Sequence, residues 1–342
     1  MPELRKNILT NEWVIIATER AKRPEDFQKR TGESTLVSEN NIKTCPFCLN
    51  NEAMTPPEVF AFREEGTSAD KAGWRVRVVP NKFPALILSS QDTCEERNGM
   101  FCQVEGKGIH EVIIETPSHQ KSIATLSSNE VEEVLFAYQQ RYLSAEENNN
   151  IKQITIFRNH GQTTGASKLH PHSQLIASPV FSQKFKNHEN IALEYWRREK
   201  NCLYCTLMQE ELKKKERIIL ETSHFLVFAP YASQLPFEVW IFPKQHHHSF
   251  SSISIKEVED LAQILPKILF KLYSKLDNPD YNYIIHSYVS DTLDREAKHW
   301  FLQILPRLTP IGGYELGSGI FINVVKPEST AEFFRDKDED NR

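Results

Sequence analysis

His170, His172 and Gln174 occupy alternate positions of HPHSQ, residues 170–174, with Pro171 and Ser173 between them. On an extended strand, side chains two residues apart share a face, so all three project together. A neutral imidazole is a good nucleophile toward phosphorus near pH 7 and forms a phosphoramidate that a second acceptor discharges. A primary amide two residues on can donate to a phosphoryl oxygen as charge builds there. Phosphoryl transfer asks a protein chiefly for positioning and charge stabilisation, so this short stretch can carry the central step, with His172 attacking and Gln174 steadying. The rival reading is a solvated polar strand. Context weighs against it, because a loop from Gly161 to Ser167 precedes the motif and offers backbone N–H groups to a phosphate.

Two CxxC pairs, CPFC at 45–48 and CLYC at 202–205, account for four of the six cysteines. In a cytosolic chain such pairs point to metal or redox chemistry more than to disulfides. No thioredoxin-like order of elements surrounds CPFC, which favours metal. Cys94 and Cys102 read as incidental thiols in a polar stretch.

An internal repeat supplies the remaining ligands. EVIIETPSH (111–119) is answered by EVWIFPKQH (238–246), the capping pair Ser127 and Glu130 by Ser254 and Glu257, and HPHSQ by HWFLQ at 299–303. The second copy keeps the first histidine as His299 but has Phe301 where the first has His172. A histidine kept in both copies beside a CxxC reads as structural, and one present in a single copy as catalytic. The metal sets are therefore Cys45, Cys48, His119 and His170, then Cys202, Cys205, His246 and His299. Both are Cys2His2, suiting tetrahedral zinc with no open position, so two zinc ions per chain are expected to stabilise and align. His110, His247 and His248 are rival ligands; His160 and His224 read as ordinary polar residues.

The elements that must hold these groups follow from periodicity. Strands are expected at 13–18, 74–80, 111–117, 151–157, 170–179 and 281–287, with residues 90–106 a polar connector. The Ser127/Glu130 and Ser254/Glu257 capping boxes open amphipathic helices, the second kinked at Pro266. Residues 183–200 read as helical. The glycine-rich segment around Tyr314 and Glu315 is either a sugar-binding loop or a solvated turn. Two domains are expected, 1–195 with the HPHSQ site and 196–330 with its degenerate copy, followed by a charged tail at 331–342.

Composition sets outer bounds. The 342 residues carry 39% hydrophobic and 25% charged side chains and a formal charge of -5, which argues against a nucleic-acid binder. A zinc ribbon for nucleic acid is weaker still, because the cysteine pairs lie far outside ribbon spacing. No apolar run approaches a membrane span and the N-terminus lacks a signal-peptide core, so a cytoplasmic protein without a membrane partner is expected.

Together, RAKRP, CPFC, Asn81 in PNKFP, Asn159, GASKLHPHSQ, PFEVWIFPK and GGYE make the chain resemble the galactose-1-phosphate uridylyltransferase family of the histidine-triad superfamily, over roughly residues 5–325. The resemblance implies an α+β, duplicated histidine-triad-like fold of two antiparallel-sheet half-barrels with flanking helices, paired as a homodimer. It implies a ping-pong reaction in which His172 takes a uridylyl group from UDP-glucose and galactose 1-phosphate removes it. It also implies that Gln174 stabilises the phosphoryl group with Asn159 and Ser167 nearby, that Arg20, Arg23 and Asn81 face the nucleotide, and that Glu315 faces the hexose. The chain departs from the best-known pattern at Gln303 and Leu305, where many such enzymes carry an HxH for a second metal. CLYC, His246 and GGYELGSG resemble instead the ADP-glucose phosphorylase branch, whose acceptor is phosphate. A non-catalytic zinc-stabilised binding protein is the rival from another class, and the intact HPHSQ argues against it.

Overall fold

The computed structural model describes residues 1–20, 39–89, 95–289 and 294–336. The chain opens with β1 (Glu3–Lys6), β2 (Trp13–Ile16), α1 (Glu39–Thr44), β3 (Phe60–Arg63), β4 (Trp74–Pro80), β5 (Glu95–Asn98), β6 (Phe101–Val104) and β7 (Ile109–Ile114). It continues through α2 (Ser128–Glu146), β8 (Gln153–His160), β9 (His172–Ser178), α3 (Gln183–Glu199), α4 (Leu203–Lys214), β10 (Ile218–Glu221), β11 (Phe225–Phe228) and β12 (Val239–Pro243). It ends with α5 (Ile255–Lys275), β13 (Tyr281–His286), β14 (Phe301–Pro306), α6 (Gly313–Ser318), β15 (Phe321–Asn323) and α7 (Pro327–Arg335).

Ten strands form one antiparallel sheet in the order β10-β11-β12-β14-β13-β8-β9-β7-β4-β3. The order reads alike outward from its centre, where β8 of the first half pairs with β13 of the second, Asn159 against Asn282 and Phe157 against Ile284. The halves therefore share one open sheet and are not two separate ones. A second, three-stranded sheet sets β1 and β2 beside β15, so the first 16 residues pack with the last part of the chain.

Alternation along each strand sorts the two faces. Leu175 and Ala177 of β9, Ile154 and Ile156 of β8 and Leu302 and Ile304 of β14 enter a core against α2 and α5. Those helices start where their capping boxes lie: Ser127 Oγ accepts from the Glu130 N–H, and Ser254 Oγ from the Glu257 N–H. They bury Val134, Leu135 and Tyr138 on one and Leu261, Leu265 and Leu269 on the other, each aliphatic side chain contributing about 1.5–3 kcal/mol. The opposite face carries His172 and Gln174 in the first half. In the second half α3 and α4 cover that face with Ala192, Leu203, Tyr204 and Met208 against Trp240, Phe242 and Phe301.

Several expectations need correction. Residues 95–104 of the expected connector form a β5–β6 hairpin, because its alternation is polar on both faces and gives no apolar period. The boundary at 195 falls inside α3, and residues 331–335 belong to α7, whose Phe334 is buried. The glycine-rich GGYELGS folds as α6. The regular part of β9 begins at His172, two residues later than expected, although Pro171 O still accepts from the Glu115 N–H.

Candidate active site and metal centres

Both Cys2His2 sets assemble. In each, the four ligand atoms lie within 4.8 Å of one another. Cys48 Sγ is 3.2 Å from His119 Nδ1 and 3.5 Å from His170 Nδ1, and Cys205 Sγ is 3.4 Å from His246 Nδ1 and 3.6 Å from His299 Nδ1. Ligands of a tetrahedral zinc with ordinary bond lengths stand about 3.5 Å apart, so these donor sets fit the ion. The outer atoms support this. His170 Nε2 donates to Thr116 O at 2.8 Å, and His299 Nε2 donates to Pro243 O at 2.9 Å, at matching places in the repeat. A carbonyl only accepts, so both Nε2 atoms carry the proton and both Nδ1 lone pairs are aimed at the cysteines. Burial and the neighbouring Cys45 push the Cys48 thiol up to about 12, and contact with Cys202 pushes Cys205 up, so full ionisation of either pair calls for a cation. His110, His247 and His248 lie outside both sets.

The first centre fixes the start of β9 and so the placement of His172. Phe47 of CPFC packs against both rings, its centroid 6.0 Å from His170 and 5.3 Å from His172. His172 Nδ1 donates to His170 O at 2.8 Å. The ring's one remaining lone pair is on Nε2, which has no hydrogen-bond partner among the described residues. Burial pushes the His172 pKa down to about 4, outweighing that carbonyl bond, and the Arg158 charge lowers it further, so the ring is neutral at ordinary pH.

Across the strand, β8 pairs Phe157 with Gln174 and Arg158 with Ser173, and the next step of that register sets Asn159 beside His172 on the same face. Asn159 Oδ1 accepts from Asn282 Nδ2 at 2.8 Å, and Asn282 Oδ1 from Arg307 Nε at 2.8 Å, so this side of the site is tied to the second half. Behind β9, Ser173 hydrogen-bonds the buried Glu115 and lies 2.5 Å from Tyr138 Oη, which lies 2.6 Å from Tyr283 Oη. Arg158 faces Glu115 at 3.3 Å, its charge opposing the rise that burial imposes on that carboxyl. This network stiffens the strand from the side away from His172.

Comparison with known proteins places the chain. The family description "Galactose-1-phosphate uridyl transferase, N-terminal domain" matches residues 1–181, and "Galactose-1-phosphate uridyl transferase, C-terminal domain" matches residues 186–304. The chain belongs to the galactose-1-phosphate uridyl transferase family. An ADP-glucose phosphorylase of Arabidopsis thaliana is 35% identical over 339 residues, covering 98% of this chain and 93% of that protein. A galactose-1-phosphate uridylyltransferase of Thermotoga maritima is 26% identical over 345 residues, 98% of each chain. A crystal structure of the Arabidopsis thaliana ADP-glucose phosphorylase with bound ADP-glucose superposes with a TM-score of 0.81 at 34% identity, covering 99% of both chains. Members of this galactose-1-phosphate uridyl transferase family are enzymes of nucleotidyl transfer.

For this family member, the remaining expected residues divide. Asn81 directly follows β4 and its Nδ2 lies 3.0 Å from His110 Nε2, which in turn is 2.8 Å from Gln174 Oε1, so Asn81, His110 and Gln174 are one cluster. Ser167 is exposed on the loop leading into His172. Glu315 is not brought to this cluster by any described contact; its carboxylate accepts from the Gly312 N–H at 3.0 Å and caps α6. Arg23 lies outside the described residues, and of Arg20 only its place in a short 3-10 turn is described.

Sequence reasoning missed three contributors: His110, the Glu115–Arg158 pair and Asp280. Asp280 Oδ2 accepts from Thr163 N and Oγ1, at 2.8 and 2.7 Å, pinning the 161–167 loop from the second half. A hint was available in Arg158, a charge between the apolar residues of β8.

Proposed function

We propose that the chain is a ping-pong nucleotidyltransferase in which His172 Nε2 attacks the α-phosphorus of a nucleotide sugar. A P–N bond forms, the P–O bond to the sugar phosphate breaks, and the sugar 1-phosphate leaves with the bond pair. An acceptor phosphate oxygen then attacks the nucleotidyl-histidine and returns Nε2 to its starting state. The hydrogen bond from His172 Nδ1 to His170 O carries this reading, because it leaves one directed lone pair on a neutral ring beside an amide. Gln174 donates to the phosphoryl oxygens, Asn159 and Ser167 line the same pocket, and Arg20, Arg23 and Asn81 serve the nucleotide.

The donor is UDP-glucose and the acceptor galactose 1-phosphate, in line with family membership and uridylyltransferase relatives such as that of Thermotoga maritima. The second reading is adenylyl transfer from ADP-glucose to phosphate. It is favoured by the 35% identity to the Arabidopsis thaliana phosphorylase and by the CLYC centre with Gln303 and Leu305. Both Cys2His2 centres hold zinc, which when bound supplies cross-linking and no open coordination site. The mirror order of the strands supports a duplicated histidine-triad-like fold, one copy per family domain. We further propose a cytoplasmic homodimer, with Glu315 serving the hexose across it; among the described residues no helix is long and apolar enough to cross a membrane.

The test is intact-mass analysis after incubation with UDP-glucose or ADP-glucose without acceptor, under conditions that preserve phosphoramidates. A uridylyl adduct absent from His172→Ala supports the first reading, an adenylyl adduct alone supports the second, and no adduct with either rejects covalent transfer.

A further inference from the structure

His110 was a rival zinc ligand by sequence, yet it stands apart from both metal sets and beside Gln174. It lies on β7, opposite Ile176 of β9 and diagonal to Gln174 on the same sheet face. The Ala85 backbone N–H donates to its Nδ1 at 2.9 Å. A backbone amide has only a proton to give, so Nδ1 is the bare nitrogen and the neutral ring carries its proton on Nε2. That proton points at Gln174 Oε1, 2.8 Å away.

A glutamine amide has two ends of nearly equal shape and opposite character. Turned one way it offers two N–H donors to a phosphoryl oxygen; turned the other it offers a carbonyl dipole that repels the same oxygen. A fixed donor at Oε1 settles the choice. The second half shows what the amide looks like without a substrate-facing end: Gln303 Oε1 accepts from His286 Nε2 at 2.8 Å and its Nε2 donates to Glu238 Oε1 at 2.7 Å, so both ends are taken. Gln174 has only its oxygen taken, and among the described residues nothing accepts from its Nε2.

We propose that His110 is a positioning residue which, through the tautomer imposed by Ala85, holds the Gln174 amide with its N–H donors toward the transferred phosphoryl group. This rests on the nucleotidyl-transfer reading above. Because His110 acts only through Gln174, the two side chains form one unit, and a double-mutant cycle isolates it.

The experiment measures single-turnover adduct formation, and KM for the nucleotide sugar, in the zinc-loaded wild type, His110→Ala, His110→Gln, Gln174→Ala and the double variant His110→Ala/Gln174→Ala. His110→Ala is expected to slow adduct formation about 10- to 100-fold, the scale of a lost or misaligned oxyanion donor, with KM changed less than about threefold. In the Gln174→Ala background the same change is expected to cost less than about twofold, and His110→Gln, whose amide also donates, restores most of the rate. An equal loss in both backgrounds, a loss confined to KM, or no loss at all overturns the proposal. Equal melting temperature and zinc content among the variants separate positioning from unfolding. A wild type that forms no adduct removes the nucleotidyl-transfer reading and this role with it, whereas adduct formation with additive losses removes this role alone.

Discussion

A histidine whose Nδ1 is bound to a carbonyl has a single lone pair to offer, and in His172 that pair is on a ring kept neutral by burial. On the proposed mechanism, nucleophilicity is set by two local facts, a tautomer and a desolvated site, with no general base required. His172→Ala is expected to lower turnover at least about 1000-fold and to abolish the nucleotidyl adduct, as loss of a covalent nucleophile does, while zinc content and melting temperature stay near wild type. Stoichiometric zinc analysis beside the intact-mass assay checks this; an adduct on the variant would place the nucleophile elsewhere. That His172 and Gln174 share one face was legible in HPHSQ because alternation on a strand is a one-dimensional pattern. His110 was not, because its partner lies 64 residues away and its tautomer is set by a backbone amide in a loop.

Two elements flank that strand, and each carries its own expectation. The loop before β9 turns at Gly161, whose φ of 87° and ψ of 166° suit only glycine, and a Cβ there would run into the Asp280 carboxylate. Gly161→Ala should cost about 1–3 kcal/mol from backbone strain alone. Asp280→Ala should release Thr163 and slow adduct formation by more than its drop in melting temperature accounts for; a proportionate loss of both would make Asp280 merely structural. On the other half, α3 presses His188 toward His286, ring centroids 6.0 Å apart, and His286 stacks on Phe301 at 4.5 Å. Burial, and then Lys184, push the His188 pKa down to about 4. The unfolded chain, with histidine near 6.5, then binds the extra proton first as pH falls, so stability is full above about 6.5 and is lost toward pH 4. The loss attributable to His188 is about 3 kcal/mol. His188→Phe should flatten the fall of melting temperature between pH 7 and 4.5, and an unchanged slope would assign that fall to other groups. The pattern of 183–200 reads as a helix, but nothing in it said that α3 would seal the face where Phe301 stands in the place of His172.

At the scale of the molecule, the repeat read from Glu-Val, Ser-x-x-Glu and the paired histidines accounts for the strand order, since each copy contributes five strands that read alike outward from β8 and β13. What the repeat did not reveal is their fusion into one sheet. Asn159 and Asn282 belong to strands of different copies, and residues that meet at such a junction leave no periodic trace. Nor did it reveal that β15 returns to β2, because three residues are too few to show alternation. The two Cys2His2 clusters consequently belong to one sheet but have different neighbours. The first includes His170, whose carbonyl accepts from His172; the second brings CLYC at the start of α4 to His246 after β12 and His299 before β14, beside the face that carries Phe301. Cys48→Ser should therefore lose one zinc, lower the melting temperature and also abolish adduct formation. Cys205→Ser should lose one zinc and several kcal/mol of stability while still forming the adduct at low temperature, where the sheet remains folded. Zinc stoichiometry, thermal melts and intact mass on the two variants decide the matter. Loss of the adduct in a folded Cys205→Ser protein that retains its first zinc would mean that the second centre acts on His172 through the shared β8–β13 pairing.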